Sequence, residues 1–115
     1  MSKGPATAKD LFEVLRPLQE KKGFYFNWDE RMTLDLLEQL LVTKERYGYM
    51  ACPCRFANGD YARDKDIVCP CSYREADVKE FGACYCGLYV SGELNKAQAS
   101  CPIVPERRPP ENILL

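Results

Sequence analysis

Six of the seven cysteines form three Cys-X-Cys pairs in a chain that contains no histidine. The pairs are Cys52-Pro53-Cys54, Cys69-Pro70-Cys71 and Cys84-Tyr85-Cys86. Closely spaced thiols bind metals or carry out thiol–disulfide exchange. A tetrahedral zinc ion and a four-iron cluster each take four ligands. Three pairs therefore predict either two thiols with a separate chemistry or a site that is not a simple four-ligand one.

Proline separates the thiols of the first two pairs. It fixes its own φ near −65° and keeps the preceding residue extended, so Cys52 and Cys69 are predicted to be non-helical. Zinc sites usually space their cysteines by two to four residues, whereas iron–sulfur clusters prefer all-thiolate ligation. The pattern favours a cluster over zinc and leaves an unmetallated set of thiols as a third interpretation. Spacing does not determine which four of the six are ligands.

The bulk composition suits one domain that does not associate with membranes. The chain has 115 residues and a formal net charge of −1, which gives no indication of nucleic acid as a partner. No stretch approaches the roughly 20 apolar residues of a membrane span, and residues 1–5 lack the apolar run of a secretory signal. We therefore expect a cytoplasmic protein, where seven cysteines indicate metal or redox chemistry rather than structural disulfides.

Two helices are predicted before the first cysteine pair. Thr7 with Asp10 resembles an N-cap, and Gly23 a C-terminal stop. The buried stripe expected of this first helix is Leu11, Val14, Leu15 and Leu18. The second helix is predicted to run from Asn27 to Gly48, with Glu30 at the capping-box position. Its expected buried residues are Met32, Leu36, Leu37, Leu40 and Leu41.

The cysteine region lies in turn-prone sequence with short helical segments. One is a brief turn at residues 64–66. Another is predicted over Tyr73–Phe81, with Asp77 and Glu80 facing solvent and Gly82 as its end. After Cys101 the prolines and charges show no periodicity, so this segment is predicted to lie extended over the surface.

The three ordered pairs resemble the catalytic subunit of ferredoxin–thioredoxin reductase, especially its archaeal and bacterial members. The resemblance covers roughly residues 28 to 90. Besides the pairs it includes Arg55 after the first pair, Glu45-Arg46-Tyr47-Gly48-Tyr49 and Phe81-Gly82-Ala83. Three Cys-X-Cys pairs in this order are a specific motif, so the resemblance strengthens the cluster interpretation.

The resemblance implies a [4Fe–4S] cluster beside a redox-active disulfide. Carried over by position, the ligands of this cofactor are Cys52, Cys69, Cys71 and Cys84. Cys54 and Cys86 would form the catalytic disulfide. Family members take single electrons from reduced ferredoxin and reduce a thioredoxin, so the chain is predicted to be an iron–sulfur disulfide reductase. Cys54 would attack the partner's disulfide, and Cys86 would return to release the reduced partner.

The implied fold is mainly α, a small domain of short helices and loops wrapped around the cluster. We expect one catalytic-type domain over residues 1–115. It divides into N-terminal helices (5–50), a cysteine-rich cluster region (51–90) and an extended tail (91–115). Two other functions stay open, a zinc-binding interaction module and a [4Fe–4S] electron carrier in which Cys54 and Cys86 are idle.

Three residues around the motif carry separate expectations. Plant-type members have histidine where this chain has Tyr85, and tyrosine is a poorer base at neutral pH. We expect Tyr85 to pack over the cluster. Arg55 either favours the thiolate of Cys54 or is a solvated surface charge. Cys101 lies outside the motif and is expected to be a thiol without a redox role.

The resemblance also implies two protein partners and a thin, disc-like shape that lets the cluster serve both faces. The partners are ferredoxin, or another low-potential donor, and a thioredoxin-like substrate. Ferredoxins are usually acidic, so a basic docking patch is one expectation and scattered surface charge the other. The candidate cations are Lys21, Lys22, Arg63, Lys65 and Arg74. Plant-type members pair with a second subunit, which this sequence neither requires nor excludes.

Overall fold

The computed structural model describes residues 7–113, and helices prevail within them. The elements are α1 (Ala8–Glu20), β1 (Tyr25–Phe26), α2 (Glu30–Tyr47), α3 (Tyr61–Asp64), α4 (Arg74–Phe81), β2 (Tyr89–Val90) and α5 (Gly92–Ala97). Short 3-10 turns occupy Lys65–Ile67 and Pro110–Asn112. The mainly α prediction is confirmed. Residues 5 and 6 of the predicted helical region, and 114 and 115 of the predicted tail, lie outside the described part.

Side-chain caps set the starts of the two long helices. The Thr7 hydroxyl oxygen accepts a hydrogen bond from the backbone N–H of Asp10 at 3.1 Å, as predicted. The second helix starts later than predicted, because Asp29 and not Asn27 is its N-cap. Asn27 instead accepts from the backbone N–H of Asp29, and its own carbonyl accepts from the hydroxyl of Thr33. Asn27 therefore shapes the entry to α2 from outside the helix.

The buried face of α1 differs from the predicted stripe. Leu11 is 3% exposed, but Val14 and Leu18 are each 52% exposed. The buried face of the helix is rotated toward Leu15 and Gln19. Gln19 is buried because its side chain meets an arginine of α4, which no pattern within the helix indicates. The stripe prediction is wrong at Val14 and Leu18.

The main core lies between α1, α2 and the chain around the last cysteine pair. Of the five residues predicted for the buried face of α2, Leu37 and Leu40 are fully buried and the other three are partly buried. The buried members of this core are Leu11, Phe26, Leu37, Leu40, Cys84, Leu88 and Tyr89. The third cysteine pair is thus attached directly to the best-packed part of the protein.

A two-residue antiparallel ladder joins the two halves of the chain. Tyr25 lies opposite Val90, and Phe26 lies opposite Tyr89. The Phe26 ring also stacks between the rings of Phe12 and Tyr89, with centroids 5.0 and 5.3 Å away. Aromatic stacking of this kind adds stability beyond the buried area. The ladder therefore holds the segment after the third cysteine pair against α1.

Helix α4 begins one residue after its predicted start, and of the two residues predicted to face solvent Glu80 is exposed and Asp77 is not. Gly82 ends the helix in the left-handed conformation at φ +86°, as Gly48 ends α2 at φ +88°. Asp77 was expected to face solvent and is instead fully buried. Its carboxylate accepts a hydrogen bond from Arg107 at 2.8 Å. The C-terminal segment covers this side of α4, so the exposure prediction for Asp77 is wrong.

The segment predicted as an extended surface tail is partly helical and partly buried. Helix α5 lies within it, and Val104 is 6% exposed. The Arg108 side chain is fully buried and pairs with Asp64 and Asp66. The tail therefore contributes a buried cation to the cysteine-rich half of the protein.

The molecule is flat, with principal extents of 39 × 38 × 22 Å. This agrees with the disc-like shape that the resemblance implied. Within residues 7–113, every helix is too short or too polar to cross a membrane.

Candidate functional site

Five of the six paired cysteines line one narrow cavity. These are Cys52, Cys69, Cys71, Cys84 and Cys86. They include all four residues that the resemblance implied as cluster ligands. Cys54, the sixth member of the pairs, does not line the cavity and is exposed to solvent. The structure thus brings the three pairs together and gives Cys54 a different environment from the others.

Backbone hydrogen bonds align the first two pairs side by side. The N–H of Cys52 donates to the carbonyl of Ile67 at 2.8 Å, and the N–H of Cys69 donates to the carbonyl of Met50 at 2.8 Å. An antiparallel bridge between Ala51 and Val68 lies at the same place. Both cysteines are non-helical, as the prolines predicted. Residues far apart in the chain therefore present their sulfurs to the same cavity.

The third pair lies in a tight turn. The N–H of Cys84 donates to the carbonyl of Tyr89, and the N–H of Gly87 donates to the carbonyl of Cys84, both at 2.9 Å. The backbone N–H of Tyr89 also donates to the Sγ of Cys84 at 3.3 Å, which leaves that sulfur suited to a thiolate. Gly87 has φ +83°, and a Cβ there would come within 2.8 Å of Met32 and 2.9 Å of the Sγ of Cys101. Glycine is required at this position.

The two remaining thiols of the motif, Cys54 and Cys86, interact directly. All seven cysteines are free thiols in this structure. The Sγ atoms of Cys84 and Cys86 are 3.9 Å apart, and the thiols of Cys52 and Cys86 are near enough to Cys54 to shift its pKa. Cys86 therefore lies between the cavity and the exposed Cys54.

The pKa values of Cys54 and Cys86 are shifted in opposite directions. Hydrogen bonds from Cys52 and then Cys86 lower the pKa of Cys54 to about 3, although burial acts in the opposite direction. The same contacts, led by those to Cys52 and Cys54, raise the pKa of Cys86 well above its ordinary value. If Cys52 held a metal it would have no proton to donate, and Cys86 and the charge of Arg55 would remain to favour the Cys54 thiolate. Cys54 is the more readily ionised member of the pair.

Arg55 points at the cavity and is not a surface charge. Its side chain is 1% exposed, and its Nη1 donates to the Sγ of Cys71 at 3.2 Å. Its Nε and Nη2 bind the carboxylate of Glu106. Burial raises the pKa of the Cys71 thiol, while the charge of Arg55 acts to lower it. Arg55 thus acts mainly on Cys71. Its charge also lowers the pKa of Cys54, but less than the neighbouring thiols do.

Arg74 is a second cation at the cavity and not part of an exposed patch. It is 8% exposed and donates to the side chain of Gln19. Its guanidinium lies over the rings of Phe24 and Tyr89, 3.8 and 4.8 Å from their centroids. Its inclusion among the predicted docking cations is therefore wrong. The other four candidates, Lys21, Lys22, Arg63 and Lys65, are exposed.

The polar lining of the cavity suits an anionic group with sulfur ligands. The buried hydroxyl of Tyr89 finds no hydrogen-bond partner among residues 7–113, and burial raises the pKa of this phenol. A buried donor without an acceptor is rare in folded proteins. The guanidinium groups of Arg55 and Arg74 lie beside the same cysteines. The lining contains five cysteine sulfurs and two guanidinium groups, so the donor set fits an all-thiolate cluster.

Sequence reasoning missed Glu106, Gln19 and the role of Tyr89. Glu106 is 51 residues from Arg55 and Gln19 is 55 residues from Arg74. Neither residue belongs to a motif or lies near a cysteine in the sequence. Tyr89 belongs to an apolar run directly after the third pair. That position was the one feature of the sequence that could have placed it near the cysteines. Tyr85 stacks on Arg55 with its ring centroid 4.5 Å from the guanidinium carbon.

Comparison with known proteins identifies the family. No curated protein matches the chain. The family model described as ferredoxin thioredoxin reductase catalytic beta chain matches residues 6–109. This span contains the three cysteine pairs, both cavity arginines and Glu106. The chain therefore belongs to the family of the ferredoxin thioredoxin reductase catalytic beta chain.

Proposed function

We propose that this protein is an iron–sulfur disulfide reductase. It takes single electrons from reduced ferredoxin, or another low-potential donor, and reduces the disulfide of thioredoxin or a related protein. The observation that supports this most strongly is the division of the six paired thiols. Five line the cavity, and Cys54 alone is exposed while in contact with Cys86. A protein that only stored or passed electrons would need no exposed thiolate next to the cavity.

The proposed thiol chemistry uses Cys54 first and Cys86 second. The Cys54 thiolate attacks one sulfur of the partner's disulfide, breaks that bond and forms a mixed disulfide. The partner's other sulfur leaves as a thiolate and takes the proton of Cys86. The Cys86 thiolate so formed attacks the Sγ of Cys54, forms the Cys54–Cys86 disulfide and releases the partner's second sulfur, which takes a proton from solvent. Two electrons and one proton return Cys54 to a thiolate and Cys86 to a thiol, so each turnover consumes two molecules of a one-electron donor.

Cys52, Cys69, Cys71 and Cys84 would hold the cluster. A bound [4Fe–4S] cluster supplies one-electron transfer between the donor and the disulfide. The protein's own groups set the conditions for this. The prolines and the backbone bonds of Cys52 and Cys69 hold the ligand sulfurs, and the buried arginines offset negative charge. The flat shape, 22 Å in its short dimension, keeps the cavity close to both faces for electron transfer.

The surroundings of Cys54 suit a protein substrate. Phe56, two residues further on, is 65% exposed. Its carbonyl accepts a hydrogen bond from the buried Arg108 at 3.0 Å, so the backbone under this side chain is held in place. An exposed aromatic side chain beside a nucleophilic thiol offers contact area to a partner whose disulfide lies at its own surface. A small-molecule disulfide would not need it.

Trapping of the mixed disulfide tests the proposal. The Cys86→Ser variant lacks the thiol that releases the partner, so it should accumulate a mixed disulfide with oxidised thioredoxin, visible on non-reducing gels and by mass spectrometry. Cys54→Ser should form none, and Cys101→Ser should behave like the wild-type protein. Trapping through Cys101 or a ligand cysteine, or thioredoxin reduction by Cys54→Ser, would contradict the assignment.

The colour and turnover of anaerobically purified protein distinguish the other two functions. An iron–sulfur protein is brown with broad visible absorption, whereas a zinc protein is colourless. Chemically reduced ferredoxin with a panel of thioredoxins should give free thiols on the substrate. A brown protein that reduces no member of the panel and traps none would favour the electron carrier.

A further inference from the structure

The guanidinium of Arg55 connects a carboxylate on one side to a cysteine sulfur on the other. Its Nη1 is 3.2 Å from the Sγ of Cys71. On the opposite side, Nε lies 3.0 and 2.9 Å from the two carboxylate oxygens of Glu106, and Nη2 lies 2.8 Å from Oε1. Such a fork of parallel N–H groups holds a carboxylate in one geometry. The direction in which Nη1 points is therefore set by Glu106.

Two aromatic rings restrict the plane of the same group. The guanidinium carbon is 4.5 Å from the ring centroid of Tyr85 and 5.1 Å from that of Tyr73. With its side chain 1% exposed, Arg55 has no route to solvent. Planar stacking and a bidentate partner together select arginine over lysine at this position.

Glu106 is itself held by the C-terminal segment. Its Oε1 accepts from the backbone N–H of Arg108 at 2.9 Å. The Arg108 side chain is fully buried and donates to Asp66 at 3.0 Å and to Asp64 at 3.4 Å. The position of Glu106 is therefore anchored to the buried acids beside α3. Through these contacts the tail determines where Arg55 donates its hydrogen bond.

We propose that Arg55 is a positioning residue for the anionic centre in the cysteine cavity, and that Glu106 of the tail holds it against Cys71 and so sets the reduction potential of that centre. The inference rests on the cluster of the proposed function. Hydrogen bonds to ligand sulfurs and nearby charge are among the terms that set the potential of an iron–sulfur cluster. Both stabilise the more negative, reduced state, so they raise the potential.

A dye-mediated redox titration of the anaerobically purified holoprotein tests this without ferredoxin or thioredoxin. Arg55→Gln removes the charge and the fork, and should lower the equilibrium constant for one-electron reduction about tenfold, which is about 59 mV. Arg55→Lys keeps the charge but not the fork, and should lower it by less. Glu106→Gln should also lower the potential, because a neutral amide binds the Arg55 guanidinium more weakly and no longer fixes the direction of Nη1 toward the Sγ of Cys71.

The sign of the Glu106→Gln effect separates positioning from simple charge. Removal of a negative charge near the centre would by itself raise the potential, so a fall requires the loss of the Arg55 contact. The matched controls are Glu80→Gln and Arg16→Gln, whose side chains are exposed and paired with other residues. They should leave the potential unchanged.

Each outcome decides the proposal. A rise with Glu106→Gln, or a change with Arg55→Gln no larger than that of the controls, overturns it. If Arg55→Gln assembles no cluster, Arg55→Lys and the Glu106 variant still decide the question, because Glu106 touches no cysteine. A wild-type protein without a cluster overturns this inference together with the proposed function. If the cluster assembles normally and its reduction potential is the same in the Arg55 and Glu106 variants as in the wild-type protein, this inference alone is overturned.

Discussion

Replacement of Arg108 by methionine should destabilise the protein by about 3 kcal/mol. Removal of one partner from a buried ion pair typically costs about 3–5 kcal/mol, because the other charge stays buried without compensation. The Arg108 and Asp64 side chains are both 0% exposed. Arg108 also donates to the carbonyls of Phe56 and Arg63 at 3.0 and 3.1 Å, which would lose a donor in the variant.

The lower end of that range applies because the two acids keep other donors. Asp64 accepts from the hydroxyl of Tyr49 at 2.6 Å and from the backbone N–H groups of Asn58 and Gly59 at 2.9 to 3.0 Å. Asp66 accepts from another tyrosine hydroxyl at 2.6 Å. For a domain of this size, a loss of about 3 kcal/mol corresponds to a fall in Tm of roughly 10 °C or more.

Urea and thermal unfolding followed by far-UV circular dichroism measure this loss on the holoprotein. The control is Arg16→Met, the same change at an exposed i,i+4 pair with Glu20, which should cost no more than about 0.5 kcal/mol. If Arg108→Met unfolds within 1 kcal/mol of the wild-type protein, burial of this arginine does not stabilise the fold as we argue.

Three further predictions concern pH and the cofactor. Because Cys86 and the charge of Arg55 still favour the Cys54 thiolate when Cys52 holds the cluster, reduced protein should be alkylated at Cys54 below pH 7. Cys101, whose pKa burial raises, should react only at alkaline pH, and equal profiles by mass spectrometry would contradict this. Burial acts to raise the pKa of Asp64, but the hydrogen bonds, first that of Tyr49, lower it overall. Its stabilisation is therefore complete above the unfolded value of about 3.9 and is lost as pH falls through the lower folded pKa. Urea unfolding between pH 5 and 2 should accordingly be less pH-dependent in Asp64→Asn than in the wild type. Chelation of the cluster should increase amide hydrogen exchange across residues 51–90 and spare the α1–α2 pairing, because all four proposed ligands lie in this range and lose the group that joins them. Unchanged protection there would refute a structural role for the cluster.

Local signals in the sequence predicted local structure well. The N-cap at Thr7 and the C-terminal glycines Gly48 and Gly82 were predicted and confirmed, because each depends on residues within four positions along the chain. The start of α2 was misplaced by two residues. Asn27 and Asp29 are both good capping residues, and only the observed bond from Met32 to Asp29 decides between them.

Exposure and side-chain partnership were predicted poorly wherever they depend on a segment that is distant in the sequence. Asp77 has the pattern of a solvent-facing residue, yet Arg107 covers it from 30 positions away. Arg74 was predicted to be an exposed cation of a docking patch, yet its guanidinium is buried against the rings of Phe24 and Tyr89. A residue's own neighbours in sequence cannot indicate which distant segment crosses over it.

The sequence by itself determined that six cysteines form three pairs, that the chain resembles a disulfide reductase family, that two helices precede the first pair and that a short helix precedes the last. Only the tertiary structure decided that five of those thiols line one cavity and that Cys54 is exposed. It alone assigned Arg55 to Cys71 and Glu106. The physical reason is separation along the chain. Motif spacing specifies which donors are available, whereas long-range backbone pairing and the anchored tail specify which of them meet.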